Sequence, residues 1–259
     1  MSSPERQLLA ANVRLGIALH RAEWPWRVWL LARLLPELVR TLVYVLIGLL
    51  VGGEPGMRFA LVGCFVLIIA STTVGEVTDL PSIDVQTGTY RSVLLGRVSA
   101  PGQYAARALP LLALALAAAL AYAVTVPFLA HGGDLVWPLI AHAWMLVPAA
   151  VGGAMLGLVV IAPAIGSSWE GLTYNAAIAL VTVASGAIVT PPPALAALGQ
   201  LLPFTHTVAA LRRSLAGESS IDQVAWECAV AFGWAVLAWG AYRWQEARGR
   251  RRAVGAFVG

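Results

Sequence analysis

An all-α membrane protein with six transmembrane helices is the fold class that the sequence predicts, and three observations predict it. Of 259 residues, 59% are hydrophobic and only 12% charged, and the mean hydropathy is +0.77. One soluble core cannot hide that much apolar surface. Apolar runs long enough to cross a bilayer, about 20 residues each, recur between short polar turns. The basic residues crowd into alternate turns, as they do when a chain crosses and recrosses a membrane.

Residues 1–33 form the first segment. Glu5, Arg6, Arg14 and Arg21 interrupt it, so it does not read as a cleavable signal. Leu9, Val13 and Ile17 recur every four residues, which predicts a helix lying in the interface. Trp24, Trp26, Arg27 and Trp29 follow as a headgroup-level cluster. Residues 34–242 hold the six spans. The first runs over Leu34–Gly53, with Glu37 and Arg40 offset by three so that they can pair. A Glu54-Pro55-Gly56 turn ends it. Phe59–Gly75 is the second span, and Glu76 is expected to return the chain to water. Ala108–Ala130 is the third, followed by a tight turn at His131-Gly132-Gly133-Asp134. Trp137–Ala162 is the fourth, with Gly153 and Gly157 spaced for a close helix contact. Leu172–Thr190 is the fifth and Val224–Tyr242 the sixth, and residues 243–259 form a basic tail.

Charge gives the orientation. Fourteen arginines fall in the termini and in alternate loops, whereas the opposite side holds only Arg58, Arg212 and Arg213. Both termini are therefore expected in the cytoplasm. The net charge of +4 reads as topology and contact with lipid headgroups, with no nucleic acid as partner. The tail triplet Arg250-Arg251-Arg252 reads as a topological anchor.

All 17 basic residues are arginine. A phosphate-binding loop that ends in Gly-Lys-Ser/Thr needs its lysine on the nucleotide phosphates, so this chain cannot build one. The four histidines, His20, His131, His142 and His206, have no metal-ligand spacing. Cys64 and Cys228 lie in apolar stretches and encode neither a disulfide framework nor a zinc site. Gly166-Ser167-Ser168 lacks the surroundings of a nucleophile. No catalytic, cofactor-binding or metal-binding residue is assigned. Glu76, Asp79 and Asp84 read as solvated interface charges, and Glu170 and Glu227 as carboxylates near span ends that snorkel or find an arginine.

Two segments are neither spans nor ordinary loops. Between spans two and three, Tyr90, Val93, Leu94 and Val98 recur at i, i+3, i+4 and i+8, which predicts a short amphipathic helix with Thr87 or Thr89 as its cap. Beyond span five, Leu201, Phe204, Val208, Leu211 and Leu215 predict a second amphipathic helix, interfacial or re-entrant on the outside.

The run Gly88-Thr89-Tyr90-Arg91-Ser92-Val93-Leu94-Leu95, with Gln103-Tyr104-Ala105-Ala106-Arg107 after it, resembles the coupling segment of ABC-2 type transporter permeases, in which a Gly-Thr pair is followed closely by Leu-Leu. The run from Leu202 and Pro203 through Phe204 to Arg212 resembles that family's signature before the last span. Order, sides and the six-span frame match over nearly the whole chain. Gln86-Thr87 and Gly96-Arg97 depart from the acidic residue and the Ser-Pro pair that members often carry there.

The resemblance implies a permease subunit in a bacterial cell membrane that dimerises with a second copy or a paralogue. It also implies two separate cytoplasmic ATPase subunits that bind ATP and Mg. Gly88, Thr89, Tyr90, Arg91, Leu94 and Leu95 would couple to them. The expected cargo is drug-like or lipid-like, with Tyr44, Trp144, Asn175, Thr182 and Ser185 as path residues and Pro203, Phe204 and Arg212 on the outside helix. A polysaccharide or glycolipid exporter of the same family is the nearest competitor. A membrane-embedded lipid-modifying enzyme would need acids or histidines clustered at one depth, and a non-transporting scaffold is the third reading.

Overall fold

The computed structural model describes residues 3–258, with side chains described for 6–22 and 24–248. Glu5, Arg250, Arg251 and Arg252 lie outside the described side chains. Every regular element among the described residues is helical. In chain order these are α1 (Ser3–Glu23), α2 (Trp26–Trp29), a π-helical turn (Leu30–Leu34), α3 (Leu35–Gln86), α4 (Tyr90–Leu95), α5 (Ala100–Leu129) and α6 (Val136–Ala141). They continue as α7 (Leu146–Ile161), α8 (Glu170–Ala184), α9 (Pro193–Gly199), α10 (Thr205–Leu215) and α11 (Ile221–Val258). Among the described residues, four stretches are long and apolar enough to cross a membrane: Trp26–Gln86, Ala100–Leu129, Ala143–Ile161 and Ile221–Arg248.

α3 is a hairpin. Its 52 residues would reach roughly 78 Å if straight, far beyond a hydrocarbon core. Gly53 instead adopts φ 61° and ψ −154°, a conformation open to glycine, and the helix folds back on itself. The Cys64 thiol consequently lies 3.8 Å from the Thr41 carbonyl, and Ser71 donates to Glu37 at 2.9 Å. Gly48 and Gly56 let the two arms close near the tip, since a Cβ on Gly56 would lie 2.3 Å from the Gly48 carbonyl.

The second arm of α3 is the centre of the molecule. Its residues from Ala60 to Ala70 are buried, and α5 and α7 pack on it. α5 offers an alanine face of Ala115, Ala118, Ala119 and Ala123, which allows a close approach. Gly157 of α7 does the same, for a Cβ there would lie 2.8 Å from the Val74 carbonyl. α11 packs along α7, and α1 lies across α5. At that crossing Gly16 touches the Arg107 backbone, where a Cβ would lie 2.7 Å from its carbonyl oxygen. α1, α4 and the base of the hairpin define an arginine-rich end, and the Gly53 tip with α9 and α10 defines the far end.

Several boundaries differ from the sequence reading, each for a visible reason. The second arm does not stop at Gly75 but continues to Gln86, because Glu76 and Asp84 find buried partners. His142 breaks the fourth apolar run into α6 and α7. α8 ends at Ala184, since Gly186 at φ 69° and the prolines after it turn the chain. The outside helix expected from Leu201 starts only at Thr205, after Phe204 at φ 84°, and a separate short helix, α9, precedes it. α11 runs on through the basic tail, past Tyr242.

Candidate functional site

The predicted coupling segment begins with a tightly specified helix end. Gly88 has φ 73°. Its N–H donates to the Val85 carbonyl at 3.1 Å, and the Thr89 N–H donates to the Asp84 carbonyl at 2.8 Å. This pair of bonds is the Schellman arrangement that glycine permits at a helix C-terminus. The chain then turns directly into α4. Thr89 also sends its hydroxyl to Asp84 Oδ1 at 2.8 Å.

Asp84 is the hub of this corner, at 4% exposure. Arg107 Nη1 donates to both of its oxygens at 2.9 and 2.8 Å, and Tyr104 donates to Oδ2 at 2.9 Å. Arg107 Nε reaches back to Asn12 of α1 at 3.1 Å. Gln103 donates to the Val93 and Val98 carbonyls and so holds both ends of the loop after α4. Tyr90 donates to Gln245 of α11 at 2.6 Å, and Gln245 donates to the Ala162 carbonyl at 2.7 Å. Burial, with Asp84 nearby, pushes the Tyr90 phenol up to about 12, so it remains a donor at neutral pH. Glu246 accepts the Ala100 N–H. α4 is thus fixed to α3, α5 and α11 at once, and a displacement of α4 must move the ends of all three.

The residues expected to couple divide by face. Leu94 is buried, together with Val93, and packs with Tyr104, Tyr242 and Leu80. Leu95 is 41% exposed, and Gly88, Thr89 and Arg91 are exposed beside it. The outer surface of the handle is therefore Arg91 and Leu95, while Leu94 anchors it from within.

A polar groove of about 260 Å³ opens beside the hairpin at the arginine-rich end, lined by Trp29, Arg33, Glu37, Arg40, Ser71 and Glu76, with Tyr174 of α8 opposite. The π-helical turn at Leu30–Leu34 leads into it, a local geometry common at functional positions. Glu76 accepts from Trp29 Nε1 at 3.3 Å and pairs with His20 of α1 at 3.0 Å. Glu37 accepts from Arg40 as its spacing predicted, and Arg33 lies 3.8 Å from Asp79. Glu76 and Asp84 are buried and paired rather than solvated, which corrects the sequence reading. Charges of both signs lie beside aromatic and apolar walls.

Comparison with protein-family models, curated proteins and solved structures finds no match.

The far end is organised by Glu227, which the sequence reading left to snorkel or find an arginine, and by the partly buried Arg212 of α10. Glu227 is fully buried. Its carboxylate accepts the Phe204 N–H at 2.7 Å and the Thr207 N–H at 2.9 Å. These are the N-cap and N3 donors of α10, so α11 supplies a cap that helices usually build locally. Arg212 works at an opposite pole. It donates to the Gly186, Ala187 and Phe59 carbonyls at 2.9, 2.9 and 3.1 Å, just past the C-terminus of α8, where orphan carbonyls attract a cation. Pro203 packs against Gly152, and Phe204 against Gly153. Trp234 donates to the Leu201 carbonyl at 2.8 Å, thirteen residues into α11. Leu202, Phe204 and one face of α10 therefore pack into the bundle, whereas α9 is largely exposed.

The predicted path residues do not converge. Tyr44 is half-buried on the first arm, and Trp144 is exposed near the start of α7. Asn175 is exposed on α8 and returns its amide to the Gly171 carbonyl at 2.7 Å. Ser185 is buried and points back to the Thr182 carbonyl. Trp29, Arg33 and Glu76 were missed as groove residues, since each alone reads as an interface anchor; the four-residue spacing of Trp29 and Arg33 was the available signal.

Proposed function

We propose that this chain is the transmembrane permease subunit of an ATP-binding cassette exporter of ABC-2 type. It moves a drug-like or lipid-like amphiphile out of the cytoplasm or the inner leaflet of a bacterial cell membrane. The observation that carries this reading is α4, a short exposed helix joined through Asp84, Gln103 and Tyr90 to the ends of three long helices. Such a part transmits force from a partner. The chain contains no lysine for a nucleotide-binding loop, so the force belongs to two separate cytoplasmic ATPase subunits that hold ATP and Mg.

Six crossings fit the packing. The two arms of α3 contribute two, α5 a third, α6 with α7 a fourth, α8 and the residues after it a fifth, and α11 the sixth. A second permease copy completes the assembly. The mixed-charge groove suits an amphiphile that enters laterally with its polar head at Arg33, Glu37 and Glu76 and its apolar part among the spans. Closure of the ATPases pushes α4, the hairpin base moves with it, and the re-entrant α9–α10 segment opens outward.

The test separates docking from folding by using the exposed residue. Leu95→Asp in the tagged full-length subunit, purified from its native membrane, is expected to lose co-purifying ATP hydrolysis. Leu50→Asn, on an 84% exposed side chain of the hairpin, is expected to retain it. Vectorial transport by the isolated subunit in liposomes without nucleotide would overturn the reading.

A further inference from the structure

Two cavities meet at one residue on the α7–α11 side of the bundle. The first, about 510 Å³, lies at the arginine-rich end between Tyr90 and Leu94 of α4 and Trp244 and Arg248 of α11. The second, about 380 Å³, is walled by apolar side chains, among them Leu156, Val160, Leu180 and Trp234. Pro163 lines both. They are successive stretches of one furrow, polar at its outer mouth and apolar along its length, which is the profile of a phospholipid rather than of a soluble ligand.

The charge at the mouth decides which phospholipid. Arg33, Arg40, Arg107 and Arg243, all near the same end, each have a carboxylate partner. Arg248 has no ion pair among the described residues and lies over the exposed Trp244 indole, 4.5 Å from the ring centroid. Gln245, its neighbour in the furrow, is taken by Tyr90 and the Ala162 carbonyl. The mouth therefore offers a guanidinium without a competing carboxylate, beside an aromatic ring of the kind that settles at headgroup depth.

We propose that this furrow is a resident site for one anionic phospholipid. Its phosphate sits on Arg248 beside Trp244, and an acyl chain runs past Pro163 and Val160 into the apolar cavity below Leu202 and Trp234. The lipid then abuts Tyr90 and Leu94, so the charge of the membrane bears directly on α4. The site depends only on the chain lying in a membrane and stands apart from the transport reading.

The full-length protein, delipidated in detergent and titrated with palmitoyl-oleoyl phosphatidylglycerol or phosphatidylcholine, tests this by native mass spectrometry. Wild type is expected to retain one phosphatidylglycerol in preference to phosphatidylcholine. Arg248→Gln should weaken that retention about fivefold, the factor one basic residue is worth at an anionic surface, and Arg248→Lys should restore most of it. Ala177→Phe, which fills the apolar stretch, should weaken it while Arg248 is intact. Equal retention of the two lipids by wild type, or equal phosphatidylglycerol retention by wild type and Arg248→Gln, would overturn the site. Unchanged retention by Ala177→Phe would overturn the placement of the chain.

Discussion

Asp84 and Arg107 carry a concentrated electrostatic commitment, because both are buried and each is nearly saturated by the other and by neighbouring donors. Removing one member leaves the other charged and desolvated, which costs about 3–5 kcal/mol. Replacing both with uncharged residues of similar size removes the unpaired buried charge along with the pair. Asp84→Asn and Arg107→Met should each lower the thermal midpoint in detergent, and the double variant should be less destabilised than the two changes summed. Additive losses would mean that the two side chains do not act as a unit. Neither role was legible in the sequence, because the pairing is non-local. Arg107 is 23 residues from Asp84, and His20 meets Glu76 from a different helix. Periodicity assigns such carboxylates to the water at a span end, and only the folded contacts show them turned inward. Glu227 was misplaced in the same way. Its partners are backbone N–H groups of a helix that the sequence reading left as interfacial or re-entrant.

Elements were legible where their causes are local. A short helix after the Gly-Thr pair follows from the spacing of Tyr90, Val93, Leu94 and Val98, and it appears over Tyr90–Leu95, ending before Val98. The turn after the first span was legible at Glu54-Pro55-Gly56, and the backbone break falls just before it, at Gly53. The ends of α8 and α10 escaped notice, because the chain leaving α8 is held by Arg212 at the Gly186 and Ala187 carbonyls and α10 starts where Glu227 caps its donors. Helices cut short inside an apolar environment survive only with such partners. The strain at Phe204, a bulky residue at positive φ, is on the order of 1–3 kcal/mol and is offset by the carboxylate that receives its N–H. Packing of the α8 end also depends on Gly63, where a Cβ would lie 1.8 Å from the Ala187 carbonyl. Gly63→Ala should therefore displace that end and cost about 1–3 kcal/mol by overpacking. Gly52→Ala, which meets nothing within 4 Å, should be neutral or gain up to about 1 kcal/mol from helix propensity. Thermal unfolding of the two variants side by side checks the contrast. Equal stability would mean that α8 does not bear on the hairpin as closely as its backbone contact implies.

At the scale of the whole molecule, the number of crossings and the distribution of charge are one question. Among the described residues, four helices meet the length and hydropathy needed to span a bilayer, and the first of them doubles back at Gly53. What remains is α8, 15 residues long and about 22 Å by helical rise, shorter than a hydrocarbon core of about 30 Å. It reaches across only if the carbonyls beyond its end are satisfied at depth, which is what Arg212 does. Fourteen arginines against three then require Arg97 and Ser168 on the cytoplasmic side and Glu218 outside. In a chain with Cys64 and Cys228 replaced by alanine, single cysteines at these three exposed positions give a direct readout with a membrane-impermeant maleimide. Glu218→Cys should label in intact cells, whereas Arg97→Cys and Ser168→Cys should label only after permeabilisation. Labelling of positions 168 and 218 from the same side would remove α8 from the set of crossings. The Arg212 cap would then serve a helix lying within one leaflet, and the equal-sided positions would leave the arginine bias without its topological explanation.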